Sequence, residues 1–335
     1  MIKRHRICPI FIPHLGCPYT CVFCNQHKIT GQSLPLPPKK VRETFLTWQK
    51  NSPETRCLAY YGGSFTALPD VLQEAYLKEA KQLKEEGYIN EIRLSTRPDK
   101  LEEARLDVLE AFGVDTVEIG FQSLDQEVLA HNQRGHDHQV GLMAVKSLLD
   151  RGFLVGGQMM LGLYKDEPQK SIETARQLAQ SGIAMVRLYP TVVLKETDLA
   201  RLYDEGKYVP WSRETLLDTL ASCMAYFIDH DVAMIRIGLQ DELHLSDEIV
   251  AGYYHPALGE LAYGRLFRQK MEKLAPLFPD KAWQFQIHPK AFSKAIGHKG
   301  ENKAYFSKKY GVILKNSNYF FTCIRNLNSY SNTTF

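Results

Sequence analysis

Short apolar segments alternate with amphipathic ones along most of the chain, from residue 56 to about residue 240. The apolar segments predict strands, and the segments with helical spacing predict helices. "CLAYYGGSF", for example, indicates a strand that enters a glycine turn, and the following "LPDVLQEAYLKEAKQLKEEG" indicates a helix that ends at a glycine. A strand at "RICPIFI" and a helix at "PKKVRETFLTWQKN" precede them. The whole pattern predicts six strand–helix units.

Strand–helix units that follow one another at roughly 30-residue spacing are typical of a parallel sheet covered by helices. Such a sheet is either open and doubly wound or a complete or partial barrel, and in both the chemistry lies at the carboxyl ends of the strands. Candidate polar residues follow four different strands, which favours a barrel. We therefore expect an α/β fold, a partial (β/α)6 barrel of the TIM type. The segments "TLLDTLASCMAYFIDHD" and "VAMIRIGL" would extend it by one helix and one strand.

The pattern changes after residue 240, and we place a domain boundary there. Residues 1–240 form the expected barrel domain, and residues 241–335 form a helical linker and a basic segment. The linker, "DELHLSDEIVAGYYHPALGELAYGRLFRQKMEKL", has helical spacing with a proline interruption. The last stretch, "NSNYFFTCIRNLNSYSNTTF", has no clear periodicity, so no structure is predicted for it and a disordered tail is one expectation.

Length and composition indicate a folded protein with a full core. The chain has 335 residues, of which 44% are apolar and 24% are charged, as in globular proteins. No apolar run approaches the roughly 20 residues that cross a bilayer. The beginning of the chain, "MIKRHRICPIFIPHLG", has neither a long apolar stretch nor a cleavage site of small residues. We therefore expect a cytoplasmic protein that does not bind a membrane.

Charge is distributed unevenly along the chain. The net charge is +3, but residues 281–315 carry eight lysines against the single acidic residue Glu301. Because residues 1–280 then carry a net negative charge, the chain has an acidic body and a basic end. Such asymmetry predicts a polyanion as a partner of the basic segment. A solvated, lysine-rich helix face explains the charge equally well.

Three of the seven cysteines lie within eight positions, in "HLGCPYTCVFCNQ" at Cys17, Cys21 and Cys24. The other four are scattered singly, and a disulfide framework is typical of small secreted chains rather than of a chain like this one. A structural zinc site needs four protein ligands, whereas a 4Fe-4S cluster is held by thiolates, which a short loop supplies. The spacing therefore favours an iron–sulfur cluster over zinc and leaves one iron open for another ligand.

The spacing Cys-x-x-x-Cys-x-aromatic-Cys, in which Phe23 is the aromatic residue, resembles the signature of the radical S-adenosylmethionine enzymes. The resemblance implies that the amino and carboxylate groups of S-adenosylmethionine bind the open iron of the cluster. In such enzymes the reduced cluster cleaves S-adenosylmethionine to a 5′-deoxyadenosyl radical, which abstracts hydrogen from the substrate. It therefore also implies an external electron donor. "YYGGSFTALP" matches the glycine motif of the same enzymes.

Further segments are similar to one branch of that class, the radical domain of the catalytic subunit of Elongator and its bacterial relatives. They are "GFQSLDQEVLAHNQRGH", "LLDRGFLVGGQMMLGL" and "VRLYPTVVLKETDLARLYDEGKYVPW", and the similarity covers residues 7 to about 240. It implies modification of the wobble uridine of tRNA with acetyl-CoA as partner substrate. The chain differs in two ways: about 95 residues after position 240 are too few for the acetyltransferase domain of that subunit, and Gln158 stands near the place of a family histidine.

The resemblance also assigns residues to the two cofactors, with Cys17, Cys21 and Cys24 as the cluster ligands. Phe23 is implied to pack on the adenine, and a role as an ordinary core aromatic is the alternative. Contacts to the methionine moiety and its carboxylate, to the ribose and to the adenine are implied, in chain order, for Gly62, Gly63, Ser64, Thr96, Arg97, Gln122, Ser123, Gln158, Tyr189 and Pro190. Many relatives carry Glu at the position of Ser64.

Three arginine and histidine positions keep a structural alternative. Arg97 is implied to bind the methionine carboxylate through its guanidinium fork, and a surface arginine is the alternative. Arg134 and His136 belong to the family segment "RGH", but a structural turn that ends a helix explains them equally well.

The basic segment contains a G-x-x-G turn, Gly297-His298-Lys299-Gly300, between two possible helices that precede a strand. KH modules use such a turn to bind the RNA backbone. The candidate RNA contacts are Gly297, His298, Lys299, Gly300 and Lys303, although a KH module normally has Ile where Lys303 stands. The alternative is a helix–turn cap that packs on the barrel, and the extension is accordingly either helical or KH-like.

The substrate is less constrained than the cofactors. The family resemblance and the basic segment favour tRNA. A second hypothesis keeps the radical enzyme but gives it a small-molecule substrate, a tetrapyrrole or another metabolite. A third hypothesis is a non-catalytic iron–sulfur or zinc protein that binds RNA.

Overall fold

The computed structural model of the chain describes residues 6–31, 34–239, 245–274, 283–311, 313–316, 322–325 and 333–334. None of the helices in these ranges has the length and hydropathy that a membrane span requires. The strands of the first part of the chain are β1 (Arg6–Ile12), β2 (Thr55–Gly62), β3 (Glu91–Thr96), β4 (Thr116–Gln122), β5 (Leu154–Leu161), β6 (Met185–Pro190), β7 (Val193–Leu194), β8 (Ala233–Ile237) and β9 (Ile249–Ala251).

Helices connect these strands and cover one face of the sheet. They are α1 (Gln26–Thr30), α2 (Val41–Asn51), α3 (Asp70–Glu85), α4 (Glu103–Ala111), α5 (Gln126–His131), α6 (His138–Asp150), α7 (Pro168–Gln180), α8 (Asp198–Asp204), α9 (Arg213–Asp229), α10 (Leu245–Glu248) and α11 (Leu258–Leu274). Several begin at side-chain caps that the sequence supplies, such as Asp125 before α5 and Asp137 before α6, which accept backbone N–H groups of the first turn.

Within the described residues, seven strands form one parallel sheet in the order β1-β2-β3-β4-β5-β6-β8. This arrangement confirms the predicted parallel α/β fold, and β8 with α9 is the additional unit that the sequence allowed. The strands β1 and β8 are the two edges of the curled sheet, so the barrel is partial, as expected. The short strands β7 and β9 pair separately in an antiparallel arrangement.

The two faces of the sheet differ in chemistry. On the outer face, side chains such as Ile10, Leu58 and Ile119 are fully buried against the helices and form the main apolar core. On the inner face, the same strands carry polar and charged side chains such as Arg93 and Glu118, which are also buried. Because side chains alternate along a strand, one face builds the core while the other lines the interior of the partial barrel.

A smaller unit follows α11. It contains β10 (Trp283–Ile287), α12 (Pro289–Ile296), α13 (Glu301–Tyr310), β11 (Ile313–Asn316), β12 (Thr322–Arg325) and β13 (Thr333–Thr334). Strand β10 pairs in parallel with β11 and antiparallel with β12, which pairs with β13. This unit has its own apolar core, to which Met271 of α11, Phe285 and Phe306 contribute.

Two predictions concern this end of the chain. The boundary that we placed after residue 240 lies at a residue outside the described ranges, and the division into domains stays a prediction. Strands β12 and β13 lie in the stretch for which the sequence predicted no structure. Strand β12 pairs with β10, some 40 residues earlier, and β13 pairs with β12, and local periodicity does not reveal such partners. The rest of that stretch, where a disordered tail was one expectation, is outside the described residues.

Candidate cofactor site

The cysteine loop lies between β1 and α1, at the carboxyl ends of the strands. Tight turns shape it, because the backbone N–H of Cys17 donates to His14 O (3.1 Å) and that of Cys24 donates to Cys21 O (3.0 Å). Asn25 caps α1 by accepting the N–H of Lys28, and this ends the loop just after the third cysteine. The structure therefore keeps all three thiols on one short loop at the expected end of the sheet.

The three thiols lie close enough to influence one another. Burial raises the pKa of Cys17, and the nearby thiol of Cys21 raises it further. Burial also raises the pKa of Cys24, with the thiols of Cys21 and Cys17 as the next causes. Groups that oppose each other's ionisation in this way suit a shared cationic group, which an iron–sulfur cluster supplies.

A cluster and a single ion make different demands on these thiols. Among the described residues, no group of three or more His, Cys, Asp or Glu side chains is arranged to hold a single metal ion. A 4Fe-4S cluster is bound by one thiolate per iron, so its ligands need not converge on one point. The donor set of the loop, three thiols on one short segment, fits the cluster.

Arg134 contacts the cysteine loop directly, a role that was not expected from the sequence. Its Nη1 donates to Cys21 Sγ at 3.0 Å, and its Nη2 donates to the carbonyl of Gly120 at the end of β4. Arg134 is 5% exposed. The alternative of a purely structural turn is therefore incomplete, and the segment "RGH" of the family resemblance was the signal that pointed to this residue.

The glycine turn after β2 is locked to the cysteine loop. A Cβ at Gly63 would lie 2.0 Å from Leu15 O, and a Cβ at Gly16 would lie 2.3 Å from Ser64 O. The backbone N–H of Ser64 donates to Leu15 O at 3.0 Å. Glycine is thus needed at position 63 because the two loops pack backbone against backbone. The cofactor contacts that the resemblance implies for Gly62, Gly63 and Ser64 stay predictions.

Ser64 and Thr96 meet at the ends of β2 and β3. Their hydroxyl oxygens lie 3.0 Å apart, and Thr66 Oγ1 lies 2.6 Å from Thr96 Oγ1. The backbone N–H of Arg97 donates to Ser64 Oγ at 3.3 Å. Because all of these groups are buried, the structure brings the predicted residues of two strand ends into one hydrogen-bonded cluster.

Arg97 is not a surface residue, so the surface alternative is wrong. It is 5% exposed, and its Nε and Nη2 contact the two carboxylate oxygens of Asp99 at 2.9 and 3.2 Å. Nη2 also donates to the carbonyl of Arg134, and the guanidinium lies 5.1 Å from the ring centroid of Tyr19. The fork that was expected to bind a cofactor carboxylate is thus engaged by Asp99. Binding to the methionine carboxylate stays a prediction.

Gln122 occupies a strained position at the end of β4. Its φ is +66°, and the pairing of β4 with β5 shifts in register between Gly120 and Gln122. Three polar atoms in this region are buried without a hydrogen-bond partner among the described residues: Gln122 Oε1, Arg134 Nε and His136 Nε2. Buried polar atoms are rarely left unpaired, and strained backbone clusters at functional sites. The arrangement therefore fits a polar ligand such as S-adenosylmethionine.

The remaining predicted contacts occupy neighbouring positions with different surroundings. Ser123 Oγ accepts the N–H of Asp125 at 3.1 Å and helps to start α5. Gln158 Nε2 lies 3.5 Å from Glu118 Oε2 on the inner face of the sheet. Tyr189 and Pro190 end β6 beside the end of β5. The cofactor contacts of all four stay predictions.

Phe23 packs in an apolar cluster beside the cysteine loop. It is partly buried against residues that include Val22, Val193, Leu199 and Tyr208. This surrounding supports the role of a core aromatic, because these neighbours hold the loop to α8 and to β7. Contact with the adenine stays a prediction.

A buried network of charges occupies the inner face of the sheet below these loops. Glu118 accepts hydrogen bonds from Tyr61 Oη (2.8 Å), Arg93 Nη1 (3.2 Å) and Arg187 Nη2 (3.0 Å). Burial acts to raise the pKa of Glu118, but Arg187, Arg93 and Tyr61 outweigh it and lower that pKa. The carboxylate is therefore ionised inside the partial barrel, where it orients two arginines.

The G-x-x-G turn lies in the C-terminal unit and packs on α11. A Cβ at Gly297 would lie 2.9 Å from Glu301 Cγ, and one at Gly264 of α11 would lie 3.2 Å from Gly297 Cα. Asn302 Nδ2 donates to Gly264 O at 2.8 Å. The packing of Gly297 on α11 supports the alternative in which the turn is a cap that packs on the barrel.

The turn also leaves basic side chains in solvent. Lys299, at a φ of +51°, and Lys303 are accessible to solvent, whereas His298 lies 3.7 Å from Glu260. The two helices and the following strand confirm the local prediction from the sequence. The RNA contact of Gly297, His298, Lys299, Gly300 and Lys303 stays a prediction.

Two family models match most of the chain. That of the radical SAM superfamily matches residues 11–179, and that of the radical SAM C-terminal domain matches residues 183–272. The chain therefore belongs to the radical SAM superfamily and is a radical SAM enzyme. The cofactors of this superfamily are the two expected from the sequence, a 4Fe-4S cluster and S-adenosylmethionine.

The similar proteins include members of the Elongator branch that the sequence resembles. The chain is 30% identical to an uncharacterised protein of Methanocaldococcus jannaschii, with 58% of this chain and 63% of that protein covered. It is 27% identical to a tRNA uridine(34) acetyltransferase of Methanocaldococcus infernus, with 49% and 34% covered. It is 25% identical to Elongator complex protein 3 of Mus musculus, with 61% and 40% covered. The chain thus spans between a third and two thirds of the length of these relatives.

A solved structure shows the same fold. The archaeal Elp3 of Methanocaldococcus infernus, with residues 1–46 deleted, has a TM-score of 0.62 and 21% sequence identity to this chain. The comparison covers 80% of this chain and 63% of that one. It confirms the partial barrel with C-terminal helices, and the relatives confirm the resemblance to the Elongator branch.

Proposed function

We propose that the enzyme uses its radical chemistry to modify tRNA, at a wobble uridine-type position. The observation that carries the proposal is the convergence, at the strand ends, of three cysteine thiols with the unpartnered polar atoms of Gln122, Arg134 and His136. The names of the relatives, which include tRNA uridine(34) acetyltransferases, support the substrate class. The location in the cytoplasm stays a prediction.

In this proposal Cys17, Cys21 and Cys24 hold the cluster. When bound and reduced, it supplies the cleavage of S-adenosylmethionine to a radical that takes hydrogen from the substrate. Arg134 donates to Cys21 Sγ and so orients the sulfur that would bind iron. The packing of Gly63 against Leu15 fixes the cysteine loop on the sheet.

The chain's other residues would bind and orient S-adenosylmethionine. Gln122 Oε1 is a buried acceptor that has no partner among the described residues, and it suits a ribose hydroxyl or an ammonium group. Ser64 and Thr96 share their hydrogen bonds with Thr66, which fixes their hydroxyls at the strand ends. Pairs of fixed polar groups of this kind orient a ligand and displace water.

Formation of 5′-deoxyadenosine tests the chemistry. The protein is reconstituted anaerobically with iron and sulfide, then mixed with dithionite and S-adenosylmethionine. We expect 5′-deoxyadenosine from the wild type and none from Cys21→Ala. The matched control is Cys223→Ala. Cys223 is a buried cysteine away from the loop in sequence, so the variant keeps the three loop thiols and we expect it to retain the activity. Equal background from wild type and Cys21→Ala would refute the proposal.

A second experiment tests the substrate class. Electrophoretic retention of tRNA across a salt series separates an RNA substrate from a small molecule, because phosphate contacts weaken as salt rises. We expect retention that weakens with salt, together with loss of a modified nucleoside in a strain that lacks the protein. If the protein does not retain tRNA and the strain that lacks it shows no changed nucleoside, the small-molecule alternative is favoured.

A further inference from the structure

Two arginines lie side by side on the last two strands of the sheet. Arg187 of β6 and Arg236 of β8 are paired Cα partners. Their neighbours Leu188 and Ile237 pack on the apolar core of the outer face. Because successive side chains of a strand point to opposite faces, Arg187 and Arg236 both point to the inner face. Arg236 therefore lies on the edge strand of the partial barrel, and Arg187 lies on the strand next to it.

Each guanidinium has a donor nitrogen left over. Arg187 uses Nε and Nη2 for Glu118 and Tyr61, with Nη2 at 2.8 Å from Tyr61 Oη. Arg236 donates from Nε to Gly238 O at 3.1 Å and from Nη2 to Leu239 O at 2.7 Å. Within the described part of the chain, Nη1 of neither arginine has a hydrogen-bond partner.

The charges on this face do not balance within the described residues. Glu91 binds Arg93 at 2.7 Å, and Glu118 is shared between Arg93 and Arg187. Arg236 has only carbonyl partners there, so three arginines face two carboxylates. A partly buried positive charge without a counter-ion is unfavourable, and an anion bound from outside would compensate it.

The position of the pair relates it to the cofactor site. Arg187 is the Cα partner of Gln158, and Gln158 is the partner of Gly120 on β4. The carbonyl of Gly120 accepts Arg134 Nη2, and Arg134 Nη1 donates to Cys21. Arg187 and Arg236 therefore lie on the inner face, two and three strands away from the end of β4 that Arg134 ties to the cluster loop.

We propose that Arg187 and Arg236 bind a phosphate group of the substrate, the backbone phosphate next to the reacting nucleotide of tRNA. The proposal rests on the proposed function. Guanidinium groups match phosphate geometry, and backbone phosphates position a nucleic acid without reading its sequence. Glu118 and Tyr61 are positioning residues, because they fix the direction of Arg187. The same chemistry would also recognise the phosphates of a nucleotide-type co-substrate.

The test compares Arg236→Gln and Arg236→Lys with the wild type, each carrying its cluster. Dissociation constants are measured anaerobically for a labelled tRNA anticodon stem–loop RNA and, separately, for ADP. Arg236→Gln should weaken RNA binding roughly tenfold and lower the salt slope by about one, as expected when one charge-assisted hydrogen bond to a phosphate is removed. Arg236→Lys keeps the charge and should recover part of the affinity. The control is Arg56→Gln. Arg56 lies at the start of β2 and donates to the carbonyl of Tyr88.

The outcomes separate the sources of the phosphate. Weaker binding of RNA alone assigns the site to the RNA strand, and weaker binding of ADP assigns it to a nucleotide co-substrate. Unchanged binding of both by Arg236→Gln, or equal losses in Arg56→Gln, would overturn the proposal. Formation of 5′-deoxyadenosine by the wild type is measured in the same preparation, so a failure of the proposed function would show there.

Discussion

Arg134 joins three parts of the site through one residue. Its guanidinium binds Cys21 and the end of β4, and its backbone carbonyl accepts Arg97 Nη2. The guanidinium is buried, so its hydrogen bonds are formed in surroundings of low polarity, where they are stronger than in water. A single residue, through its side chain and its backbone carbonyl, thus holds the cluster loop, a strand end and the Arg97–Asp99 pair in one arrangement.

Replacement of Arg134 should impair the site more than the fold. For Arg134→Gln we expect 5′-deoxyadenosine formation to fall by about 10–100-fold, the effect of removing one hydrogen bond to a charged group. Bound iron should also dissociate faster on dilution, because the thiolate of Cys21 no longer has its donor. Both are measured on the anaerobically reconstituted protein. Arg42→Gln, which breaks an exposed pair with Glu86, is the control, and equal losses there would contradict this role.

Gly63 provides a test of the contact between the two loops. In Gly63→Ala the new Cβ would meet the backbone oxygens of Leu15 and Ile12 at 2.0 and 2.8 Å. Backbone atoms cannot move aside cheaply, so we expect a decrease of about 2 kcal/mol or more in the free energy of unfolding, together with a lower iron content. Denaturant titration and iron analysis measure both effects.

The matched control for that substitution is Gly259→Ala in α11. There the Cβ would lie 3.5 Å from Ile237 Cβ, an ordinary contact, and alanine favours a helix. We expect its stability to equal or exceed that of the wild type. If Gly63→Ala is as stable and binds as much iron as Gly259→Ala, then the backbone contact of the two loops is not what requires the glycine.

At the level of elements, the sequence predicted the order and kind of strands and helices because that information is local. The apolar run of β5 and the caps before α5 and α6 lie within each segment. The place of the site was also predictable, since parallel strands bring their carboxyl ends together. The cysteine spacing needed no knowledge of the fold.

The partners of the site residues were not predictable in the same way. Arg187 and Tyr61 are hydrogen-bonded although 126 positions separate them, and the Glu118 network combines side chains from four strands. No periodicity marks such a pairing, and a sequence shows only that charged residues occur in strands. The pairing of Arg97 with Asp99 was missed for a different reason, because a cofactor role was expected for the same guanidinium.

The loop between β5 and α7 predicts a pH dependence of stability. Asp166 accepts hydrogen bonds from the N–H groups of Gly162 and Glu167 and from Ser171 Oγ, at 2.6–2.9 Å. Burial nevertheless raises its pKa from 3.8 to about 6. The folded state therefore binds this proton more tightly than the unfolded state, and stability decreases as pH rises from about 4 to about 6.

Comparison with Asp166→Asn isolates this contribution. On lowering the pH from 7.5 to 5, the wild type should gain about 1 kcal/mol in unfolding free energy relative to the variant. Denaturant titrations of both proteins at the two pH values measure the difference. Asp150→Asn, at an exposed carboxylate beside Lys146, is the control. A constant difference between wild type and Asp166→Asn at both pH values would contradict the prediction.

At the scale of the whole molecule, α11 joins two apolar cores. Leu258, Leu261 and Leu266 pack in the core of the barrel, and Met271 packs in the core of the C-terminal unit. Asn302 of α13 adds a buried hydrogen bond to Gly264. The C-terminal unit is therefore attached to the barrel through α11, and the ion pair of Arg213 in α9 with Glu301 in α13 (3.5 Å) adds a second contact.

This attachment gives the lysines of the turn a testable role as an RNA surface. Lys299 and Lys303 are accessible to solvent, and the turn beside them is fixed on α11 by Gly297 and Asn302. If they bind phosphates of tRNA, Lys299→Ala/Lys303→Ala should lower the slope of log affinity against log salt by about two, one for each phosphate that is no longer neutralised. Retention of tRNA at several salt concentrations gives the slope.

The control keeps the change in net charge and moves it to other surfaces. Lys78→Ala/Lys146→Ala removes two exposed lysines from α3 and α6 in the barrel. A weaker general attraction to RNA would lower affinity equally in both double variants, because long-range attraction depends on the charge of the whole molecule. Phosphate binding at the turn would lower the slope in Lys299→Ala/Lys303→Ala alone. Equal slopes in the two variants would show that the turn is only a cap on α11, and the tRNA would then have to bind at the barrel itself.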